Sequence, residues 1–251
     1  MKKLVTFLTT ITLLGATALV SACNNQEPQS KGTVTVAVNT QYEISKLFEG
    51  KDDLFSVAIK TPSGSAYKIN GRKLTFSNLG TYQFIHADGS ITNIAVKDEL
   101  APSIYLNLND YQPKAGEETS IPFVAVDNYD GEDISVCVKA SGLETSNRFI
   151  PSEKGLDLVL FATDKSNNVA ETKIYLVPVD TRFTASSTMF GEQDVTGYAV
   201  SYKITEYSKG ANTSYLGNSA TAQAGKYYMI TATAKQANKI LTATEYYVPM
   251  L

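Results

Sequence analysis

Apolar and polar residues alternate strictly along several stretches of the chain. The pattern is clear at residues 33–38 and again at 198–205, which are rich in Val, Thr and Tyr. Alternation with a period of two predicts half-buried β-strands. Gly, Asn, Asp and Pro separate such stretches, and we find no helical periodicity beyond residues 1–22. The pattern therefore predicts an all-β fold of packed sheets rather than α/β units.

Three stretches of the chain share one pattern: a glycine, a strand, a polar turn and a second strand. They span residues 79–98, 154–180 and 224–251, and their glycines recur at intervals of about 70–75 residues. The pattern predicts a β-hairpin at the end of each of three tandem domains. The predicted domains are 33–98, 99–180 and 181–251.

The first residues have the pattern of a secretory signal peptide. Lys2 and Lys3 precede an apolar run at residues 4–20, and small residues then lead to Cys23. At about 17 residues, with threonines inside, the run is short for a membrane span. We therefore predict a cleaved leader at residues 1–22.

The end of this leader, Val20-Ser21-Ala22-Cys23, resembles the bacterial lipobox. In lipoproteins with this motif, the cysteine thiol is alkylated with diacylglycerol, and a peptidase then cuts before the cysteine. The resemblance implies that Cys23 is the lipid attachment site, bearing palmitate-type chains. An ordinary signal peptide with a chance cysteine is the alternative.

The same resemblance implies a location on the extracytoplasmic face of a bacterial cell membrane. Two acyl chains hold a protein stably, whereas one chain binds only marginally. Lipoproteins retained at a Gram-negative inner membrane usually carry aspartate after the cysteine, and this chain has Asn24. A Gram-positive cell membrane and a Gram-negative outer membrane both remain open. The polar residues 23–32 are expected to form a tether.

Three motifs mark the predicted middle domain: Asp98 followed by Ala101-Pro102, residues 121–127, and residues 162–170. Together they resemble the motifs of bacterial immunoglobulin-like domains that occur in tandem on surface proteins. The last motif there usually has a glycine where this chain has Asn167, which also adopts left-handed backbone conformations. The resemblance implies β-sandwiches with a surface role and no catalytic residues. We therefore expect three tandem immunoglobulin-like β-sandwich domains, although for the flanking two the resemblance rests on pattern and spacing.

Composition excludes several classes of function. The chain of 251 residues has a net charge of −3, and cleavage at 22/23 would remove two lysines, so nothing favours nucleic-acid binding. The only histidine, His86, and the second cysteine, Cys137, are too few for a zinc site. The chain has no nucleophile elbow and no phosphate-binding glycine loop. We expect a protein that is not an enzyme and needs no cofactor.

An acidic turn at residues 127–133 contains Asp127, Asp130, Glu132 and Asp133. Calcium binds oxygen ligands from such clusters, but the spacing is not that of an EF-hand loop. A solvated turn between strands is the simpler interpretation, and calcium binding is the alternative.

The predicted third domain holds eight of the 15 tyrosines, including Tyr227, Tyr228, Tyr246 and Tyr247 on the two arms of its final hairpin. Neighbours in a strand face opposite ways, so one ring of each pair should point outward. Outward rings can stack on sugars or on partner proteins. Cross-strand packing that stabilises the sheet is the favoured interpretation, and a binding face is the alternative.

These features predict a lipid-anchored bacterial cell-surface protein that acts as a non-catalytic spacer or as an adhesion and binding module. The alternative is an accessory lipoprotein that captures carbohydrate or another substrate through the tyrosines of the third domain. The expected partners are the membrane, through the N-terminal lipid, and a surface protein or glycan.

Overall fold

The structure is a computed structural model that describes residues 30–47, 58–67, 72–210 and 214–251. The predicted signal peptide, Cys23 and most of the predicted tether lie outside the described residues. The chain divides into two compact units. The first unit is Met1–Val36 with Thr40–Lys97, and the second is Ala37–Asn39 with Asp98–Leu251.

The described part of the first unit contains two sheets. Its strands are β1 (Ser30–Ala37), β2 (Gln41–Glu43), β3 (Ala58–Lys60), β4 (Ala66–Tyr67), β5 (Lys73–Thr75), β6 (Gly80–Ile85) and β7 (Ile91–Lys97), and a four-residue helix, α1 (Ile44–Leu47), follows β2. Five strands form a sheet in the order β1-β7-β6-β3-β4, and β2 pairs with β5. Alternate residues of β6 and β7, among them Tyr82, Phe84 and Ile94, are buried, as a period of two requires.

The described part of the second unit contains twelve strands and one 3₁₀ turn, Ser187–Phe190. The strands are β8 (Ser103–Leu106), β9 (Phe123–Val126), β10 (Ser135–Ala140), β11 (Leu143–Thr145), β12 (Leu156–Thr163), β13 (Val169–Pro178), β14 (Arg182–Thr184), β15 (Ala199–Ser208), β16 (Ser214–Leu216), β17 (Ser219–Thr221), β18 (Lys226–Gln236) and β19 (Lys239–Met250). Eight of them form one sheet in the order β11-β10-β12-β13-β19-β18-β15-β16, while β8 pairs with β9 and β14 with β17.

One pairing joins the parts of the chain that we predicted as the second and third domains. Strands β13 and β19 run parallel, with Lys173 opposite Glu245 and Pro178 opposite Met250. The other neighbours in this sheet are antiparallel. The predicted second and third domains therefore share one continuous sheet, and the exact domain boundaries stay predictions.

Two hydrophobic clusters lie against this large sheet. The first includes Leu108, Ile121, Leu160 and Ile174, so residues near the β8–β9 pair pack against β12 and β13. The second contains Phe183 and Ala185, Ala220, and the sheet residues Ile204, Tyr228, Ile230 and Ala232. Each cluster is thus the interior of a two-layer packing of a small sheet on part of the large one. Val248 and Met250, at the end of β19, belong to the first cluster.

The strand and turn predictions are confirmed in detail. Strands and isolated β-bridges account for 56% of the described residues, which confirms the all-β class. The three predicted hairpins are the antiparallel pairs β6–β7, β12–β13 and β18–β19. Their repeated glycines, Gly80, Gly155 and Gly225, all have positive φ. At Gly155 a Cβ atom would lie 2.5 Å from the carbonyl oxygen of Leu176, so a side chain would collide with the partner strand. Asn167, at φ 67°, adopts the left-handed conformation that we expected.

Within the described ranges, no helix is both long enough and apolar enough to cross a membrane.

Candidate metal centre

Three buried aspartates lie together in the second unit. Each comes directly after a strand: Asp98 follows β7, Asp127 follows β9, and Asp164 follows β12. Their exposed fractions are 7%, 5% and 5%, respectively. One carboxylate oxygen from each residue can be chosen so that all three lie within 4.8 Å of one another. We call these three residues the aspartate triad.

Local hydrogen bonds fix each carboxylate of the triad. The Oδ1 atom of Asp127 accepts backbone N–H groups from Tyr129 at 2.7 Å and from Asp130 at 2.9 Å. The Oδ1 atom of Asp164 accepts the N–H of Asn168 at 2.8 Å, and that of Asp98 accepts the N–H of Leu100 at 3.4 Å. Aspartate favours turns because its side chain bonds the backbone a few residues further on. One oxygen of each aspartate is therefore committed to its own turn.

The side chain of Asn168 links two of the three segments. Its Nδ2 donates to Asp164 Oδ2 at 2.7 Å and to the backbone carbonyl of Asp98 at 3.1 Å. The chain segment at residue 98 is thereby tied to the turn between β12 and β13. This bond holds two triad residues near each other but neutralises no charge.

The electrostatic state of the triad is unfavourable as it stands. The Oδ2 atoms of Asp98 and Asp127 are buried and have no hydrogen-bond partner among the described residues. Burial raises the pKa of Asp98, its bond from Leu100 opposes the rise, and the charges of Asp127, Asp164 and Asp130 raise it further. A buried carboxylate without a partner is costly, and nearby like charges add to the cost. A proton or a cation bound between the carboxylates would relieve both costs.

The nearby lysine does not supply that cation. Lys165 follows Asp164, but its ammonium pairs with Asp133, and the two side chains are 62% and 77% exposed. The Oδ2 atom of Asp130 accepts the backbone N–H of Lys165 at 2.9 Å. Of the four acids in the predicted acidic turn, only Asp127 belongs to the triad. The turn's other acids are exposed or half-buried.

The sequence contained a signal for this cluster that the prediction of an acidic turn missed. The three motifs that carry the resemblance to immunoglobulin-like domains begin with Asp98, end with Asp127, and include Asp164. Spacing along the chain does not show that these ends meet, because their meeting depends on how β9 and β12 are placed in the fold. Within the described part of the chain, the aspartate triad is a group of three potential metal-binding side chains whose ligand atoms lie close together.

The tyrosines of the final hairpin lie in a different environment. Tyr228 is fully buried, its ring meets that of Phe183 edge-on at 5.1 Å, and its hydroxyl donates to the carbonyl of Thr221 at 3.1 Å. Burial raises the pKa of Tyr228 to about 12, with the charge of Glu206 adding to the rise. Tyr247 stacks on Phe183 at 4.4 Å and on Tyr175 at 4.8 Å.

The other tyrosine of each pair faces the opposite side of the sheet but is also packed. Tyr227 stacks on Tyr207 with ring centroids 4.7 Å apart and planes 6° apart, and its hydroxyl donates to Asn109 at 3.3 Å. Tyr227 and Tyr246 pack against the cluster that contains Leu160. None of the four candidate tyrosines is exposed. Their role as a binding face stays a prediction, while their contacts are those of sheet packing.

His86 and Cys137 are not members of the triad. His86 is buried in the first unit, and its Nε2 lies 2.7 Å from the hydroxyl of Thr92. Cys137 is a free, half-buried thiol in β10, and burial raises its pKa, with nearby Glu144 adding to the rise. Cys23 lies outside the described residues.

Comparisons with known proteins give fold-level similarities only. No family model and no curated protein sequence matches the chain. Among solved structures, the chain is similar to immunoglobulin domains 1–5 of Sidekick-1 (TM-score 0.26, 14% identity, 89% of this chain), and it spans 59% of that chain. It is also similar to titin domains A168–A170 (0.31, 12%, 87% of this chain and 95% of that one). A third match is to fibronectin(III)-like modules of Clostridium thermocellum CbhA (0.28, 14%, 61% and 91%). The description of the fold therefore rests on the strands and their pairing.

Proposed function

We propose that this chain is a lipid-anchored bacterial surface protein. The observation that carries the proposal is the motif Val20-Ser21-Ala22-Cys23 at the end of a charged and then apolar leader. The sulfur of Cys23 forms a thioether with a diacylglyceryl group, and the phosphate headgroup of the donor phospholipid leaves with the thiol proton. Cleavage before Cys23 then leaves the acylated cysteine as the first residue. Its two acyl chains are enough for stable membrane attachment.

The β-rich units act as a non-catalytic spacer or as a binding module that projects from the membrane. Support comes from the two-layer packing of the second unit and from the place of the only histidine. His86 is buried beside Phe84, with its Nε2 2.7 Å from the hydroxyl of Thr92. The partner class that fits such a module is a surface protein or a glycan, and the composition gives no reason to expect nucleic acid.

The anchor is tested by changing each of the two cysteines in turn. In a bacterial host with lipoprotein processing, Cys23→Ala should move the protein from the membrane fraction to the soluble fraction. It should also abolish labelling by a clickable palmitate analogue. Cys137→Ala is the matched control, because it removes the other thiol and should keep both membrane association and labelling.

Two outcomes contradict the anchor. Membrane association of the Cys23→Ala protein at the wild-type level excludes the proposed attachment. Loss of labelling in Cys137→Ala but not in Cys23→Ala would show that the acyl group is attached to Cys137 and not to Cys23.

A further inference from the structure

We propose that the aspartate triad binds a calcium ion that ties together three separate segments of the second unit. The segments are the chain at Asp98, the turn after β9 that begins at Asp127, and the turn between β12 and β13 that begins at Asp164.

Geometry is the first reason. Calcium is coordinated by oxygen atoms at about 2.3–2.6 Å, so two ligands on opposite sides of an ion are about 4.8 Å apart. Oxygens from Asp98, Asp127 and Asp164 all lie within 4.8 Å of one another, which is the separation that one coordination sphere allows. The three oxygens can therefore contact the same ion without rearranging the strands that carry them.

The unpartnered oxygens are the second and independent reason. Asp98 and Asp127 are more than nine-tenths buried, yet the Oδ2 of each lacks a hydrogen-bond partner among the described residues. The Oδ1 atoms meanwhile accept N–H groups of their own turns. Each carboxylate is thus oriented by its own turn, and one oxygen of each has no donor in the described part of the chain. Buried polar atoms are nearly always satisfied, and a bound ion is one of the explanations for an exception.

The ligand chemistry selects calcium over other ions. The triad offers only oxygen atoms and carries up to three negative charges, which suits a hard cation and not zinc or copper. Magnesium requires near-ideal octahedral geometry and keeps several bound waters. Calcium accepts irregular coordination and can complete its sphere with backbone carbonyls and a few waters.

A proton is the competing solution to the same electrostatic problem. Protonation of one carboxyl would remove a negative charge and supply a donor for a neighbouring oxygen. The two solutions differ in what they predict for added metal. A triad satisfied by a proton alone gives no specific response to calcium.

The test is thermal unfolding and calorimetric titration of the full chain in detergent, first stripped with a chelator. We expect dissociation constants of about 10⁻⁴–10⁻³ M, the range of extracellular calcium modules. At about 10 mM calcium, the melting temperature should then rise by about 3–10 °C relative to buffer of equal ionic strength. Magnesium at the same concentration should give a smaller shift.

Asp127→Asn and Asp98→Asn are the informative variants. Asparagine keeps an Oδ1 acceptor for the local turn but removes a charge from the triad. Both variants should therefore fold without calcium at least as well as the wild type, because like-charge repulsion falls. Their calcium affinity should fall by at least about tenfold, since even outer-shell changes commonly cost that much.

Asp133→Asn is the matched control. It removes an acidic group from the same turn, but Asp133 is 77% exposed and lies outside the triad. Its calcium response should equal that of the wild type. No calcium response in the wild type, or an equal loss in Asp133→Asn and Asp127→Asn, would overturn the proposal. Neither result depends on the lipid anchor, which the cysteine variants test separately.

Discussion

Two groups of buried or mostly buried carboxylates in the second unit differ in whether a partner group meets their charge. In the hairpin region, Glu206 accepts a bond from the ammonium of Lys226 at 2.8 Å, and Glu245 lies 3.4 Å from the hydroxyl of Tyr175. In the aspartate triad, buried oxygens of Asp98 and Asp127 have no such donor among the residues that the structure describes. Burial of an acidic side chain is therefore not what distinguishes the triad. The triad is distinguished by buried oxygens that lack a hydrogen-bond partner, and this makes the three aspartates a candidate ion site.

The largest expected effect concerns Tyr228, in the well-packed hairpin region. Tyr228→Ala should lower the free energy of unfolding by about 3–5 kcal/mol, because it removes a fully buried ring from the sheet interior. Denaturant unfolding measures the loss. Tyr215→Ala is the matched control, since Tyr215 is 66% exposed and should contribute much less. If the Tyr228 variant kept wild-type stability, the packing interpretation of these tyrosines would fail.

An intermediate effect is expected when a paired carboxylate loses its partner. Lys226→Met keeps the aliphatic stem but leaves the mostly buried Glu206 without its cation. The free energy of unfolding should fall by about 1–3 kcal/mol. Adding Glu206→Gln to the same chain should recover part of this loss, because both charges are then gone, and a double-mutant cycle measures the coupling. Equal stability of the wild type and Lys226→Met would show that this carboxylate needs no partner.

The smallest expected effect is a change in pH dependence at Glu245. Burial raises the pKa of Glu245, while the charge of Lys173 and the hydroxyl of Tyr175 oppose the rise. The folded chain therefore holds this proton more tightly than the unfolded chain does. The resulting penalty is complete above the folded pKa and is relieved as the pH falls through it.

Glu245→Gln removes this titration. The stability of the wild type relative to Glu245→Gln should therefore increase as the pH is lowered from about 7 to about 4. Urea unfolding at several pH values measures the difference. A difference that stays constant, or one that grows toward high pH, would contradict the stated sign. The calcium response of Glu245→Gln should match the wild type, because Glu245 lies outside the triad.

Much of the fold could be predicted from the sequence because strands and tight turns are local. The alternation in β18 and β19 and the turn at Ala237, which has φ 48°, follow from neighbouring residues. The parallel pairing of β13 with β19 could not be predicted in this way. Alternation shows which face of a strand is buried, but it does not identify the partner strand.

The candidate site also has one part that local sequence predicts and another part that depends on the fold. Asp127 could be predicted as a candidate ligand because its acidic neighbours form a local cluster in the sequence. Asp98 and Asp164 could not be predicted, because they join Asp127 only through the packing of strands that are distant along the chain. The outward tyrosine rings were expected from period two, but the cover over Tyr227 and Tyr246 comes from the cluster around Leu160. That cover is again a property of the fold and not of the local pattern.

The end of β19 has a consequence for how the protein is made. Val248 and Met250 complete the cluster that contains Leu108 and Leu160, and the backbone N–H of Leu251 donates to the carbonyl of Pro113. The ribosome synthesises Val248 and Met250 after the other residues of that cluster. Contacts so distant in sequence form slowly, so we expect the packing of Val248 and Met250 onto this cluster to be a late step of folding.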